Sequence, residues 1–403
     1  MSISDRPAAL HIEPDFMQDP YSLYAALRES APVRRVEMPS HFYGWLVTRY
    51  ADVRTALADP SVSKDFDGAV KLAERHRSEG VEPGEFAAEL AAHMLNTDPP
   101  DHTRLRKLVN RAFTVRRVES LRPRIQQITT DLLDTMSGDV DLLSALAFPL
   151  PMTVICEVLG VPDGDRDDFR RWSATLLSAA PPEEMRAAGE SMVAYLLHLI
   201  TAKRANPADD LLTALIQASE DNDRLTEPEL ISMAFLLLVA GHETTVNLIG
   251  NGVLALLTHP DQLAALRADP SLLPSAVEEF LRYDSPVNLA TLRYTTQPLT
   301  LGDNTIPEGE FLLISLGSAN RDPARFPAAD SLDITRSHSS HMAFGHGIHY
   351  CVGAPLARME AETAIGYLLA RFPNLHLSVA PTDLRYRHSP LLRGLEELPV
   401  RLA

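Results

Sequence analysis

Residues 227–257 read as one uninterrupted helix, and no other stretch restricts the fold as much. At about 1.5 Å per residue it would cross a whole domain, so its middle must be buried. Its apolar run, Met233 to Gly241, is followed at once by His242 and Glu243, too short and too soon charged to span a bilayer. The remaining chain is therefore expected to pack around it. With 403 residues, 45% hydrophobic and 23% charged, the composition excludes a wholly disordered, collagen-like or disulfide-scaffold protein. No internal repeat or low-complexity linker divides the sequence, and residues 1–403 are read as a single domain.

A formal net charge of -17 repels phosphate backbones and anionic lipid surfaces, so neither nucleic acid nor a membrane is an expected partner. Only two cysteines occur, Cys156 and Cys351, and the N-terminus carries no apolar segment. That pattern predicts a cytoplasmic protein without a disulfide framework.

Helix is predicted over Pro20 to Arg28, followed by a hairpin of Val33 to Glu37 and Phe42 to Thr48 turning at Met38 to His41. Tyr50 to Ala58 returns to helix. The stretch from Pro60 to Pro100 reads as a long surface excursion, and the segments 65–95 and 169–185 as lids. His102 to Phe113 has helical spacing with Arg104, Arg106, Lys107 and Arg111 interleaved, a basic helix in an acidic protein. Several helices follow to Ile200, broken at Pro149 to Pro151, Gly160 to Gly164 and Ala179 to Glu184. Late strands are expected at Leu299 to Leu301 and Phe311 to Ser315, and a helix after Cys351, giving a mainly α protein with small β-sheets.

The chemistry centres on Phe344-Gly345-His346-Gly347-Ile348-His349-Tyr350-Cys351-Val352-Gly353. Three glycines permit unusual backbone angles and close approach of a flat ligand. Cys351 precedes a helix start marked by Pro355, where free amides favour thiolate over thiol and suit a metal-ligating sulfur. Cys156 lies among Val154, Ile155, Val158 and Leu159 with no such loop and reads as core. His242-Glu243 resembles half of a zinc-protease helix, but position 246 is Val, and that metal site fails.

The pattern Phe-Gly-x-Gly-x-His-x-Cys-x-Gly resembles the haem-binding loop of the cytochrome P-450 haem-thiolate monooxygenases. The resemblance implies a helical bundle around haem b, iron protoporphyrin IX, with Cys351 as the axial iron ligand and Phe344, His349 and Gly353 beside it. Ala240-Gly241-His242-Glu243-Thr244-Thr245 is similar to the family's distal helix: Ala240 and Gly241 would approach the haem, and Glu243 and Thr244 would deliver protons to dioxygen. His102, Arg106, Arg293 and His349 match partners of the haem propionates, whose carboxylates call for charge-assisted bonds. Glu279 and Arg282 resemble the structural Glu-x-x-Arg pair. Ser331 stands where related enzymes commonly have an Arg joining that pair, so it is read without its third member.

The likeness extends over essentially the whole chain. It implies a ferredoxin-dependent monooxygenase of the actinobacterial branch that oxidises macrolides and includes vitamin D hydroxylases, acting on an apolar small molecule. Met94, Leu95, Leu236, Val239, Ala240, Val287, Leu289, Thr291 and Leu392 are the expected pocket lining. The chain has no flavin or iron-sulfur motif, so electrons would come from ferredoxin and its reductase, with Arg104, Lys107 and Arg111 as a basic docking face. A monomer is expected. The alternatives are a non-catalytic haem-binding sensor or carrier, against which Glu243 and Thr244 argue, and a peroxide-driven haem-thiolate enzyme, in which that pair is commonly altered.

Overall fold

The computed structural model describes residues 7–39, 41–76, 88–176, 181–220, 225–337 and 340–402. Its first helices are α1 (Tyr21–Ser30), α2 (Tyr50–Ala58), α3 (Phe66–Arg75), α4 (Ala88–Ala91), α5 (Asp101–Ala112), α6 (Val115–Ser120), α7 (Arg122–Thr135) and α8 (Pro149–Leu159). They continue with α9 (Arg166–Leu176), α10 (Pro182–Ala205), α11 (Leu211–Glu220), α12 (Glu227–Thr258), α13 (Pro260–Ala268), α14 (Leu273–Tyr283), α15 (Leu316–Asn320) and α16 (Ala354–Arg371). The strands are β1 (Leu10–His11), β2 (Val33–Glu37), β3 (Tyr43–Val47), β4 (Val62–Ser63), β5 (Asp139–Asp141), β6 (Arg293–Thr295), β7 (Leu299–Leu301), β8 (Asn304–Ile306), β9 (Phe311–Ile314), β10 (His376–Leu377) and β11 (Pro399–Arg401). They form a six-stranded sheet in the order β1-β2-β3-β9-β6-β4, a three-stranded sheet β10-β11-β5 and the hairpin β7-β8. The expected β2-β3 hairpin pairs Val33 with Val47, and β9 runs parallel to β3 with Leu312 beside Trp45.

The long helix forms as its sequence dictates. Thr226 accepts from the Glu229 amide while the Glu229 carboxylate takes the Thr226 amide, a reciprocal cap that satisfies two free donors at the start of α12. Its apolar residues from Leu230 to Leu238 are buried, and α4, α8, α10, α14 and α16 pack around it. α12 is long and apolar enough to cross a membrane, but 78% of its most apolar window is buried inside the fold.

One expectation needs correction. The excursion from Pro60 to Pro100 contains β4, α3, α4 and a 3-10 turn at Met94–Asn96; residues 77–87 of that lid, and 177–180 of the second, lie outside the described residues. Asp65 starts α3 by accepting from the Gly68 amide at 2.7 Å, a single cap easily missed among glycines. The expected break at Pro149 to Pro151 is present: the π-helical turn Leu143–Ala147 ends just before Pro149. The prolines open α8, because a proline in the first turn gives up only an amide that would have no partner.

The C-terminal residues 385–396 fold into a hairpin, with Arg387 N donating to Gly394 O at 2.9 Å and Glu396 N to Arg385 O at 2.9 Å. Polar residues four apart on α12 receive it. Glu243 accepts from Arg387, a Cβ on Gly394 would fall 1.9 Å from Asn247 Oδ1, and Asn251 Nδ2 donates to Arg393 O at 3.0 Å. The base of the hairpin is tied by Asp284, which accepts from Tyr21 Oη at 2.6 Å, Tyr386 Oη at 3.1 Å and Arg393 Nε at 2.6 Å.

Candidate active site

The cysteine loop is shaped by two glycines in the left-handed region, Gly345 at φ +75° and Gly347 at φ +74°. Gly353, in contrast, has ordinary helical angles and caps α16. A Cβ there would lie in ordinary contact with Cys351 Sγ at 3.8 Å, so neither backbone angle nor space in the chain itself demands glycine at this position. Cys351 N donates to Phe344 O at 2.9 Å, which closes the loop. Cys351 keeps accessible surface, yet it is deep enough for burial to push its thiol up, against the lowering effects of the Gly353 amide, Arg106, the Ala354 amide and Arg358. The helix start contributes as expected but does not outweigh burial in the metal-free chain. Cys156 is fully buried beside Met152, as core.

Two neighbouring acids on α14 brace this loop. Glu278 binds Arg358 Nε at 2.6 Å and faces His341 Nε2 at 3.2 Å, while the Arg358 guanidinium covers the Phe344 ring at 4.6 Å. Glu279 takes two bonds of 2.7 Å from Arg282, whose Nη1 donates to the carbonyls of Asn320 and Ala329. The Asn320 side chain in turn accepts from Met342 N at 2.6 Å, just ahead of Phe344. The third member of the cluster is present after all: Arg336 Nε lies 3.2 Å from Glu279 Oε2. Ser331 contributes only its carbonyl, to Arg282 at 3.0 Å. The reading anchored the missing arginine five positions too early.

On the other side of the loop the structure gathers basic groups. His102 and His349 have ring centroids 4.2 Å apart, and neither His102 nitrogen has a hydrogen-bond partner among the described residues. Burial, then the charges of Lys64, His102, Arg293 and Arg106, push His349 down to about 2. Arg293 is buried and lowered to about 10 by that burial, and its Nη1 donates to Thr291 O at 3.0 Å. Lys64, which the sequence reading missed, is buried in the same cluster with its Nζ against Thr291 Oγ1; burial and Arg293 hold it well below its ordinary value. Asp98 is the one carboxylate acting on this set, and it accepts from Ser63 Oγ and the Lys64 amide. Converging basic groups of this kind, with both His102 nitrogens unpartnered among the described residues, fit a ligand edge carrying two carboxylates, as the haem propionates would. A buried lysine straight after strand β4 was the available signal.

At the centre of α12, Val239, Ala240, Gly241 and Thr244 retain accessible surface while Leu230–Leu238 and Thr245–Val253 are buried. Glu243 is buried, with Oε2 2.9 Å from Arg387 Nη1 and Oε1 3.6 Å from His242 Nε2. Burial raises its carboxyl, but His242 and then Arg387 outweigh it and leave the group below the ordinary carboxylate range. Thr244 Oγ1 donates to Ala240 O at 2.9 Å, so acid and alcohol are not bonded to each other. Gly241 keeps accessible backbone on the open side, but its missing side chain faces α8. A Cβ there would meet Ile155 Cδ1 at 2.9 Å, so the glycine admits α8.

The expected pocket residues separate. Ala240, Val239, Leu95, Val287, Thr291 and Leu392 are partly exposed, and Val287 and Leu392 are joined by an antiparallel bridge. Leu236 and Met94 are buried in the main core. Leu289 belongs to a separate core cluster with Tyr24, Leu27, Leu46 and Leu313, because its bridge to Ser315 turns it toward the large sheet. Thr291 serves the basic cluster through both its oxygens. Of the three docking residues, Arg104 is engaged by Glu229 and lies 3.8 Å from Asp101.

Residues 168–385 match the sequence model of the Cytochrome P450 family. The chain is 56% identical over 403 residues to "Cytochrome P450 107B1" of Saccharopolyspora erythraea, covering all of this chain and 99% of that protein. The chain belongs to the cytochrome P450 family. This P450 is also 51% identical to the "Vitamin D(3) 25-hydroxylase" of Pseudonocardia autotrophica, over 96% of this chain and 94% of the other. The tirandamycin C-bound structure of the P450 monooxygenase TamI superimposes with a TM-score of 0.91 at 52% identity, covering 98% of this chain and all of that one. The protein is therefore a monooxygenase that carries haem b, uses dioxygen and an external electron donor, and acts on a small molecule. A non-catalytic carrier or a peroxide-driven enzyme is not favoured.

Proposed function

We propose that this P450 hydroxylates or epoxidises a bulky, apolar polyketide, macrolide or sterol-like compound, with electrons from ferredoxin and a flavin-containing ferredoxin reductase. The observation that carries the substrate class is the company the chain keeps: besides the vitamin D(3) hydroxylase, relatives are named "6-deoxyerythronolide B hydroxylase" and "Mycinamicin IV hydroxylase/epoxidase", at 46% and 45% identity. Leu95, Val239, Ala240, Val287 and Leu392 would meet the substrate, with Leu236 and Met94 behind them. We place the protein in the cytoplasm, as a monomer.

In this reading Cys351 binds the iron through its thiolate, while His102, Arg106, Arg293 and His349, with Lys64, neutralise the propionates. The haem supplies dioxygen activation, which electron donation from the thiolate favours. The protein residues do the rest. Glu243, turned from Arg387 toward Thr244, hands a proton to the alcohol side, and Thr244 releases the Ala240 carbonyl to pass it on. The apolar wall keeps bulk water out, so protons arrive by way of these groups. Lys107 and Arg111 form the centre of the docking face, with Arg104 partly committed to Glu229.

The test is the difference spectrum of the dithionite-reduced protein with carbon monoxide, on wild type and on Cys351→Ser. A red-shifted Soret band in wild type that is lost in the variant supports thiolate ligation. Its absence from haem-loaded wild type would remove Cys351 from the reading.

A further inference from the structure

α12 carries a histidine that no step above uses. His242 is fully buried, and its Nδ1 lies 2.8 Å from the carbonyl oxygen of Leu238. A carbonyl only accepts, so Nδ1 carries the hydrogen and Nε2 is left to present a lone pair or a second proton. Nε2 has no hydrogen-bond partner among the described residues. The nearest charged atom to it is Glu243 Oε1, at 3.6 Å, just beyond bonding distance.

The ring is held in this orientation. Phe148 meets its edge at 5.9 Å and 79°, and the Arg170 guanidinium covers Phe148 at 4.5 Å. The charged groups around the imidazole are thus Glu243 on its own helix, Arg387 behind that carboxylate from the C-terminal hairpin, and Arg170 of α9 beyond Phe148. Leaving a buried nitrogen unpaired is costly. A small rotation of Glu243 relieves that cost, provided Nε2 donates.

We propose that His242 is a positioning residue of the proton relay, holding on Nε2 a second proton for Glu243. The inference rests on the reading of Glu243 as the relay acid. The His242 Nε2–H bond breaks and an O–H bond forms at Glu243 Oε1, which loads the otherwise ionised carboxylate with the proton that it then gives toward Thr244. The imidazolium becomes neutral imidazole and the carboxylate a neutral acid, freed from Arg387. A proton from bulk water then enters beside Arg387, whose side chain is 39% exposed, and returns to His242 by way of Glu243. One proton enters for each one delivered, and no electron moves. A carboxylate paired with a guanidinium is seldom protonated. A hydrogen on His242 Nε2, 3.6 Å from Glu243 Oε1, is the next proton within reach.

The experiment uses haem-loaded protein labelled with ¹⁵N-histidine, in wild type, Glu243→Gln, His242→Gln and His242→Phe. Long-range ¹H–¹⁵N spectra should show His242 with hydrogens on both Nδ1 and Nε2, and an Nε2 resonance that moves in Glu243→Gln. Decay of the reduced, dioxygen-exposed protein should slow at least about tenfold in both His242 variants, with an enlarged solvent isotope effect and an unchanged carbon monoxide spectrum. A ring with either nitrogen bare, or His242 variants that match wild type while Glu243→Gln slows, would overturn the proposal alone. If Glu243→Gln also matches wild type, the relay reading itself falls.

Discussion

His102 of α5 and His349 of the cysteine loop stand with their rings tilted 56° at 4.2 Å, two bases pressed together inside a cluster of cations. Such contact is tolerable only while both imidazoles are neutral or an anion lies between the surrounding charges. The arrangement therefore records the ligand it is built for.

That contact makes the apoprotein acid-sensitive. Burial first, then neighbouring charge, lowers His93 to about 4 and His349 to about 2, while an unfolded histidine titrates near 6.5. Below pH 6.5 the unfolded chain binds more protons, so stability falls as the pH drops through that value and keeps falling toward the folded values. Each histidine costs up to about 2 kcal/mol at pH 5. Propionates raise the folded value of His349 and remove its part of the loss. Urea unfolding at pH 7 and pH 5, with and without haem, should show the steeper drop in the apoprotein; equal drops would contradict this account.

Gly241→Ala should destabilise the protein by no more than about 1 kcal/mol net, because its Cβ meets Ile155 Cδ1 at 2.9 Å while the helix propensity of alanine returns about 1 kcal/mol. Ile155→Val deletes that methyl and should recover most of the loss. A double-mutant cycle on thermal midpoints checks it. Additive effects would mean that Gly241 serves something other than the α8 contact.

Glu279→Gln should lower stability by about 3–5 kcal/mol, since it leaves Arg282, which is fully buried, without its carboxylate. Arg336→Ala should cost less, about 1.5–3 kcal/mol, because Glu279 keeps both bonds from Arg282. Denaturant midpoints give the order. If the two variants were equal, Arg336 rather than Arg282 would be the principal partner.

Asp284→Asn should cost about 3–5 kcal/mol by stranding the buried Arg393, and protease cleavage should then appear within residues 385–396 before the rest of the chain opens. Limited proteolysis followed by mass spectrometry locates the first cut. A first cut elsewhere would show that the hairpin does not depend on Asp284.

Much of this was legible because local chemistry sufficed. The long helix, the β2-β3 hairpin and the cysteine loop each announce themselves within a short window, through apolar run, branched residues or glycine spacing. The Glu279–Arg282 pair needed only a three-residue spacing. What stayed hidden depends on distant partners. Arg336 reaches Glu279 across 57 positions, and Lys64 joins Arg293 through Thr291, 227 positions away. Leu289 was misassigned because the residues on which it packs, Tyr24 and Leu313, lie far away in sequence and no local pattern says which way its strand-like segment turns. Gly241 reads the same from sequence whether it admits a ligand or a neighbouring helix; only Ile155 decides.

The C-terminal hairpin bears Arg387 at one place and Leu392 five residues on, and Glu243, Asn247 and Asn251 hold its length to a single register on α12. Adding or deleting one residue there would displace the apolar contact and the guanidinium together. On the reading proposed above, in which Leu392 meets the substrate and Arg387 holds the relay acid, selection for a new substrate through this loop would also alter how tightly reducing equivalents are coupled to product.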